Sequence, residues 1–341
     1  MLTSGIIGLP MVGKTTVVAT VAALNKGMDK LKEMYQPTKF TPAVIKVTDV
    51  PGLVSGSSEG KGTGNKFLAD VRQVDALIQV IRAFQGTVPH VEGSIDPVRD
   101  YNILTTELIL ADLQIMEGRL ERLTTGKKKK VENYEKELAL VEKCIAALEE
   151  GIPISALELT EEELLFMRDF GLLTQKPMLL VVNVDENQYK EGNYPGKDEL
   201  EAIALDHKYP LVVICGQLEM EIGQLSAEEK ELFMDDLGIA EPGIAKIARS
   251  AYSLLGLISF FTVGTDEVRA WTIKAGENAK EAASAIHSDI SRGFIRAEVI
   301  AYDDLKELGS MAAVREQGLF RLEGKDYLVK DGDIVHFRFN V

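Results

Sequence analysis

The sequence predicts an α/β domain with a mostly parallel sheet, a helical hairpin inserted into that domain, and a small separate α+β domain. Apolar strand-like runs alternate with helical periods in the first and third quarters of the chain. Two long amphipathic segments interrupt that alternation, and short β-rich runs fill the last quarter. Strands buried on both faces read as continuous apolar runs, so the alternation indicates a parallel sheet covered by helices.

The composition is that of an ordinary folded protein, with 45% hydrophobic and 27% charged residues among 341. No apolar run is long enough to cross a bilayer, and the first residues lack the features of a signal peptide, so we expect a cytoplasmic protein with no membrane partner. Cys144 and Cys215 lack metal-ligand spacing, which argues against a zinc site or a disulfide. A net charge of −15 argues against DNA as a partner and requires any RNA contact to be local.

The α/β domain is predicted at residues 1–97 and 176–256, and the hairpin at 98–175. The predicted strands of the domain are GIIG, AVIKVTD, ALIQVI, PMLLVVN and LVVIC. The inserted segments have apolar residues at i, i+3, i+4 and i+7 and are joined by TTGKKKK, which is typical of an antiparallel helical pair. The lysines at this joint, Lys127–Lys130, either contact rRNA phosphates or form a solvated tip.

Residues 257–341 are predicted to form the α+β domain. Its strands include ISFFTVG, VRAWTIKAG and GFIRAEVIAY, with one helix at NAKEAASAIHSDI. One interpretation places four side chains on a single sheet face for RNA stacking and phosphate contact: Arg269, Trp271, Arg292 and Arg296. In the other, Trp271 fills the core of the small domain and the arginines surround it.

The strongest motif is GLPMVGKTT, which follows the first strand. Its Gly8, Gly13, Lys14 and Thr15 have the spacing of a P-loop and lie between an apolar strand and a helix. Backbone N–H groups of such a loop surround phosphates, the lysine reaches the outer phosphates, and the threonine hydroxyl binds Mg²⁺. The predicted nucleotide-binding residues here are Met11, Val12, Gly13, Lys14, Thr15 and Thr16. A chance glycine–lysine turn is the alternative.

A D-x-x-G motif follows the strand AVIKVTD. Asp49 is predicted to support the metal ion through its water shell, and the Gly52 N–H to sense a γ-phosphate. Leu53 occupies the position where many GTPases carry the glutamine that orients the attacking water. A leucine side chain forms no hydrogen bond, so we expect slow hydrolysis, or water placed by another group.

Several strings together resemble the YchF or Obg-like ATPase family over nearly the whole chain. They are GLPMVGKTT, DVPGLVSGSSEGKGTGNKFL, TELILADL, NVDE, EVRAWT, GFIRAEVIAY and EGKDYLVKDGDIVHFRFNV. The resemblance implies a P-loop NTPase domain of the translation-factor class, a helical coiled-coil insertion and a C-terminal TGS domain of β-grasp fold. It also implies association with ribosomes and a preference for ATP over GTP.

The stretch VVNVDE stands where GTP-binding switches carry the guanine-reading N-K-x-D motif. Asn183 is kept, but Val184 and Glu186 replace the lysine and the aspartate. Glu186 has an extra methylene and cannot reproduce the bidentate contact with guanine, so guanine selectivity should fall. Asn183 is expected to hydrogen-bond a base edge, and the backbone around Val184 to offer adenine a donor and an acceptor, in agreement with the family's N-x-x-E variant. The family also places a base-side loop at Cys215 and Gly216. A polar strand end without a base-reading role is the alternative.

Two features depart from the family pattern. Met11 stands where the family typically has an asparagine that is a plausible ligand for a monovalent cation, which puts potassium dependence in doubt. The segment that closes over the nucleotide is absent between Asn25 and Lys26. Either the protein lost this first switch or the sequence omits it; we favour omission, because such loops become ordered only around a γ-phosphate and Mg²⁺. A Cα separation there well beyond roughly 3.8 Å would reveal the gap.

His90 lies in the loop FQGTVPHVEG, after the strand ALIQVI. Its match to the family's loop histidine suggests that it replaces the missing glutamine and positions water. A solvated loop histidine is the alternative. The predicted catalytic set is therefore His90, Lys14 and Gly52, and the predicted metal-binding residues are Thr15 and Asp49.

These patterns together predict a Mg²⁺-dependent ATPase of low intrinsic turnover that acts as a ribosome-associated switch in translation or stress. One alternative is a GTPase or an NTPase of relaxed specificity. Another is a nucleotide-gated adaptor that binds the ribosome or RNA and hydrolyses nucleotide only incidentally.

Overall fold

The computed structural model describes residues 3–14, 28–50, 64–125 and 134–340. Within these ranges the strands are β1 (Thr3–Ile7), β2 (Lys39–Thr41), β3 (Lys46–Asp49), β4 (Ala76–Arg82), β5 (Met178–Asn183), β6 (Leu211–Ile214), β7 (Leu257–Val263), β8 (Glu267–Lys274), β9 (Phe294–Ala301), β10 (Arg321–Glu323) and β11 (Asp333–Phe339). The α-helices described are α1 (Met28–Tyr35), α2 (Gly64–Arg72), α3 (Pro97–Thr125), α4 (Tyr134–Glu149), α5 (Glu161–Met167), α6 (Glu186–Glu191), α7 (Lys197–Asp206), α8 (Gly216–Gln224), α9 (Ala227–Asp236), α10 (Gly243–Leu254), α11 (Ala279–Ile286), α12 (Ser288–Arg292), α13 (Tyr302–Leu308) and α14 (Met311–Glu316).

The chain divides into two compact units, and the first is built on a parallel sheet. Its strand order is β3-β1-β4-β5-β6, and all neighbouring strands run parallel. Every residue of β4 and β5 is buried, as expected for strands covered by helices on both faces. The predicted α/β fold is confirmed. Because the carboxyl ends of parallel strands meet at one edge, the loops after β1, β4, β5 and β6 lie at the same edge of the sheet.

The helical hairpin belongs to the first unit and consists of α3 and α4. Its apolar contacts include Met116, Leu140, Val141 and Cys144. At its base, the fully buried Asp112 accepts hydrogen bonds from the Leu173 N–H at 2.8 Å and from the Thr174 N–H and hydroxyl at 2.7 Å each. Burial raises the pKa of Asp112, and the donors of the 173–174 segment oppose that shift. The carboxylate thereby ties α3 to the chain that leads into β5.

The second unit is an α+β domain with a six-stranded mixed sheet. Its strand order is β10-β9-β11-β7-β8-β2, with β11–β7 and β2–β8 parallel and the other pairs antiparallel. Successive side chains of β7 point to opposite faces. Phe260 packs with Ala282 and Ala283 of α11, whereas Phe261 packs with Leu31 of α1. The sheet therefore separates two apolar clusters.

The strand register corrects the proposed RNA face of this unit. Trp271 packs against the same cluster as Ala297, and Arg296 precedes Ala297, so Arg296 points to the opposite face of the sheet. Arg292 lies on α12, where it pairs with Asp289. The four residues do not share a sheet face. Trp271 is half-buried and donates its N–H to the Thr262 hydroxyl at 2.9 Å, and the Arg269 guanidinium lies 3.8 Å from its ring centroid.

Residues 28–45 lie in the second unit, which differs from the prediction that residues 1–97 belong to the nucleotide-binding domain. Met28, Leu31 and Ala43 are buried in the cluster that contains Phe261. Strand β2 pairs in parallel with β8, from Lys39 opposite Glu267 to Thr41 opposite Arg269. The prediction assigned this segment to the domain that precedes it in the chain. The segment instead packs in the second unit, because the apolar face of α1 is buried there and β2 pairs with the edge of β8.

Candidate nucleotide-binding site

The loop that follows β1 has the close-packed backbone of a phosphate-binding loop. A Cβ added at Gly8 would lie 2.6 Å from the Val80 carbonyl oxygen, and one added at Gly13 would lie 2.5 Å from Asn183 Nδ2. Gly13 also has φ +92°, in a region that favours glycine. Both glycines are therefore required by the shape of the loop.

Among the described residues, Lys14 has no acidic partner in hydrogen-bonding contact. Its Nζ donates to the Gly8 carbonyl at 2.8 Å and to the Leu9 carbonyl at 3.0 Å. Burial lowers the pKa of Lys14, and the negative charge of Asp49 opposes that shift. An ammonium group that donates to neutral carbonyls is suited to binding an anion, because a phosphate oxygen is a stronger acceptor than a carbonyl.

Met11 and Val12 complete the described part of the loop in contrasting ways. Met11 has φ +64° and its residue is 65% exposed, whereas Val12 is buried. A methionine in the left-handed region is strained, and asparagine adopts that conformation more readily. Because most of Met11 is exposed, its packing offsets little of that strain.

Asn183 connects two loops at the edge of the sheet. Its Nδ2 donates to the Val12 carbonyl at 3.1 Å, and its Oδ1 accepts from the Gly216 N–H at 2.9 Å. The side chain is buried, and a Cβ at Gly216 would come within 3.1 Å of Oδ1. The last residue of β5 therefore holds the phosphate loop and the loop after β6 in fixed positions. The sequence predicted a base-reading role for Asn183 but not this bridge.

The backbone N–H of Val184 and the side chains of Asp185 and Glu186 all have partners within the protein. The Val184 N–H donates to the Ile214 carbonyl at 2.9 Å, so it is not the donor predicted for adenine. The Asp185 side chain caps α6 by accepting a hydrogen bond from the Gln188 N–H at 3.0 Å. In return, Gln188 Oε1 accepts a hydrogen bond from the Asp185 N–H at 2.9 Å. Glu186 is solvent-facing and pairs with Lys190 at 2.6 Å. The D-x-x-Q spacing is a capping-box signal that the sequence analysis missed.

Cys215 and Gly216 lie where β6 gives way to α8, as the family resemblance implied. Cys215 is buried at the N-terminal cap position of α8, and Gly216 begins the helix. Burial raises the pKa of the Cys215 thiol, opposed by the Leu218 and Gln217 N–H groups. The thiol is therefore protonated and unreactive at neutral pH.

The described donors fit a magnesium ion that is bound together with phosphates. Asp49 ends β3 next to β1, is exposed, and acts electrostatically on Lys14. The described residues contain no group of three histidine, cysteine or acidic side chains arranged to hold a metal ion. Nucleotide-bound Mg²⁺ needs only one or two protein oxygens besides phosphates and waters, so a single carboxylate is the expected donor set.

His90 is buried rather than solvated, so the surface alternative is wrong. Its Nε2 lies 2.7 Å from Asp100 Oδ2, and its Nδ1 accepts from the Glu92 N–H at 3.1 Å. Asp100 lies in the first turn of α3 and was not identified from the sequence. No sequence signal would have found it, because a separation of ten residues across a loop matches no helix or strand period.

Several predicted residues lie outside the described ranges. They are Thr15, Thr16, Gly52, Leu53, the Asn25–Lys26 junction and Lys127–Lys130. The predicted gap at the junction therefore stays a prediction. A separate cleft of about 1130 Å³ lies between the hairpin and the 160–170 segment, and none of the predicted nucleotide-site residues lines it.

The parallel sheet, the glycine-shaped loop after β1 and the lysine above it define a P-loop nucleotide-binding protein. Residues 3–115 match the family model MMR_HSR1, described as 50S ribosome-binding GTPase, and residues 257–340 match the YchF-GTPase C-terminal model, described as a protein of unknown function. The chain belongs to the YchF family.

Its relatives match along their full length. The "Ribosome-binding ATPase YchF" of Bacillus subtilis (strain 168) is 41% identical over 366 residues, covering 100% of both chains. The protein of that name from Haemophilus influenzae is also 41% identical, covering 99% of both. A solved YchF GTPase from Schizosaccharomyces pombe superposes with a TM-score of 0.86 at 32% identity, covering 99% of this chain and 97% of that one. No helix in the described ranges is long and apolar enough to cross a membrane.

Proposed function

We propose that this protein is a Mg²⁺-dependent ATPase of low intrinsic turnover that acts as a ribosome-associated switch. The observation that carries the proposal is the Asn183 bridge, which joins the phosphate loop at Val12 to the base-side loop at Gly216. The bridge brings phosphate-binding and base-reading elements together at one edge of the sheet. The relatives named as ribosome-binding ATPases support the same function.

The residues after β5 favour ATP over GTP. A guanine site needs a carboxylate free to accept from the ring N–H and the exocyclic amine. The Asp185 carboxylate is engaged in capping α6, and the Glu186 carboxylate faces Lys190. Neither is positioned to read guanine. We propose that Asn183 and the Val184 carbonyl contact adenine.

The phosphate end of the site divides its tasks among several residues. Lys14 leaves the Gly8 and Leu9 carbonyls to bind the outer phosphates, while backbone N–H groups of the loop hold the inner ones. Thr15 and Asp49 would hold Mg²⁺, which when bound neutralises charge on the phosphates. We propose that Gly52 senses the γ-phosphate and that His90 orients the attacking water. Met11 offers no oxygen ligand, so we propose that potassium is not required.

Calorimetric titration of the nucleotide-free protein with non-hydrolysable ATP and GTP analogues at matched Mg²⁺ tests the base preference. We expect the ATP analogue to bind at least about tenfold more tightly, because the guanine-reading carboxylate is missing. Equal affinities would favour an NTPase of relaxed specificity, and tighter GTP binding would favour a GTPase.

Multiple-turnover assays separate the enzyme from a nucleotide-gated adaptor. For the enzyme we expect slow basal turnover, because His90 is buried. We expect measurable ATP hydrolysis that His90→Ala abolishes while ATP binding persists. Turnover at background level, with and without ribosomes, would favour the adaptor.

We propose ribosome association, and with it a cytoplasmic location, from the relatives' names. Co-sedimentation with separated ribosomal subunits tests the first. We expect binding to the large subunit that weakens as salt is raised, because phosphate contacts release counterions. Failure to co-sediment at low salt, with or without ATP, would remove the ribosome from the proposal.

A further inference from the structure

An acidic residue, Asp100, is positioned to control His90. The loop between β4 and α3 carries His90, and Asp100 faces it from the first turn of α3. Both side chains are only 2% exposed. A buried histidine beside a buried carboxylate costs desolvation energy unless their contact returns it, so the pair is a built feature rather than an incidental one.

One hydrogen bond fixes the tautomer of His90. Because Nδ1 accepts from the Glu92 N–H at 3.1 Å, it carries no proton. The proton of the neutral ring is therefore on Nε2, which lies 2.7 Å from Asp100 Oδ2. Nδ1 is engaged by the Glu92 N–H, and Nε2 is buried in close contact with Asp100 Oδ2 without the alignment of a hydrogen bond, so neither nitrogen faces solvent.

Asp100 is held in place by Arg99, and Arg82 acts on it electrostatically without contacting it. Arg99 approaches Oδ1 with Nε at 3.2 Å and a terminal nitrogen at 2.8 Å, and it also donates to the Ser94 carbonyl at 2.7 Å. Arg82, buried at the end of β4, donates to the Val88 carbonyl at 2.9 Å and acts electrostatically on Asp100. Burial raises the pKa of Asp100, opposed by Arg99 and His90. The histidine, the carboxylate and the loop backbone thus form one cluster.

We propose that Asp100 is a positioning residue that withholds His90 from the nucleotide, so that breaking their contact is required before His90 can orient water. The proposal rests on the catalytic role proposed for His90. In the held position Nε2 faces Asp100, and release frees that nitrogen. The strength of the contact therefore sets the fraction of molecules in which His90 is available, and basal turnover follows that fraction.

Asp100→Asn tests the proposal, because it removes the charge and keeps the size of the side chain. We expect kcat for ATP to rise on the order of tenfold with KM unchanged, as the population shifts towards the released loop. Arg99→Gln keeps the Asp100 carboxylate but removes the guanidinium that joins Asp100 to Ser94. This variant should raise kcat by a smaller factor than Asp100→Asn. Asp206→Asn is the control, since Asp206 is an exposed carboxylate beside His207 in a different helix, and it should leave kcat unchanged.

A spectroscopic measurement follows the contact directly. With ¹⁵N-labelled histidine, the wild-type His90 Nε2–H should be visible and protected from exchange with solvent, and Asp100→Asn should remove that protection. His90→Ala identifies the resonance. The other three histidines serve as internal references.

The variants distinguish failure of this proposal from failure of the proposed role of His90. A folded Asp100→Asn protein and a folded Arg99→Gln protein with unchanged or lower kcat, alongside an inactive His90→Ala protein, would overturn the withholding role alone. A rise in kcat that persists in the His90→Ala/Asp100→Asn double variant would also overturn it, because Asp100 would then act through another group. Unchanged turnover in His90→Ala, with the protected N–H seen in the wild type, would instead remove His90 from the proposed mechanism.

Discussion

At the residue scale, the bridge at Asn183 explains why two glycines face one side chain. Gly13 and Gly216 both approach Asn183 so closely that a Cβ at either would press against its amide. The amide donates to one loop and accepts from the other, a pairing that neither an aspartate nor a leucine can provide. The phosphate loop and the loop after β6 are therefore mechanically linked through one buried amide.

Asn183→Ala should weaken ATP binding about tenfold or more. It leaves the Val12 carbonyl and the Gly216 N–H without partners in a buried place, at a cost of about 1–3 kcal/mol for each unpaired group. Asn183→Asp should be at least as harmful, since it keeps an acceptor for Gly216 but turns a carboxylate oxygen towards the Val12 carbonyl. Calorimetric affinities of the three proteins check this expectation. Wild-type affinity in Asn183→Ala would contradict the role of the bridge.

Met11→Asn should stabilise the protein by about 1 kcal/mol, because asparagine tolerates the left-handed backbone that residue 11 adopts. Little packing is lost, since Met11 is exposed. Calorimetric unfolding without nucleotide measures the change. Met11→Leu is the matched control: it removes the thioether, keeps the strain and should change nothing. Equal stability of the two variants would mean that the strain is relieved in some other way.

At the element scale, period and apolar content predicted the five strands of the first sheet and the hairpin. The β4 and β5 runs are continuous because both faces are buried, and such runs are readable without a structure. Individual polar contacts were not readable. The contact between Asp100 and His90 and the anchoring of α3 by Asp112 each depend on chain segments that come together only in the folded protein. Charge at a single position carries no periodic signal.

Asp112→Asn should destabilise the first unit by about 2–4 kcal/mol. The carboxylate accepts three hydrogen bonds, one from Leu173 and two from Thr174. An asparagine amide would point its own N–H groups at the donors of one of these two residues, and those hydrogen bonds would be lost. Urea unfolding followed by far-ultraviolet circular dichroism measures the loss. Asp169→Asn, a change at a carboxylate of the neighbouring segment for which no hydrogen-bond role is seen among the described contacts, provides the comparison. A loss of similar size in both variants would show that the three donors are not its cause.

At the scale of the whole molecule, chain order misled the domain prediction. Residues 28–45 follow the phosphate loop in sequence, but α1 and β2 complete the core and the sheet edge of the second unit. No helix was predicted in this stretch, and no sequence pattern specified what the apolar face of α1 contacts. Only the pairing of β2 with β8 and the burial of Leu31 against Phe261 identify the partner. The unit therefore depends on two separate stretches of chain.

Leu31→Ala should destabilise the second unit by about 2–5 kcal/mol, because it removes a fully buried side chain and leaves a cavity. Trp271, the single tryptophan of the chain, lies in that unit, so its fluorescence during urea unfolding reports the transition that should move to lower urea. Leu205→Ala is the matched control, since Leu205 lies in the first unit and is 82% exposed. If Leu31→Ala left the Trp271 transition in place, α1 would not contribute to the core of the second unit, and residues 28–45 would return to the nucleotide-binding domain as the sequence predicted.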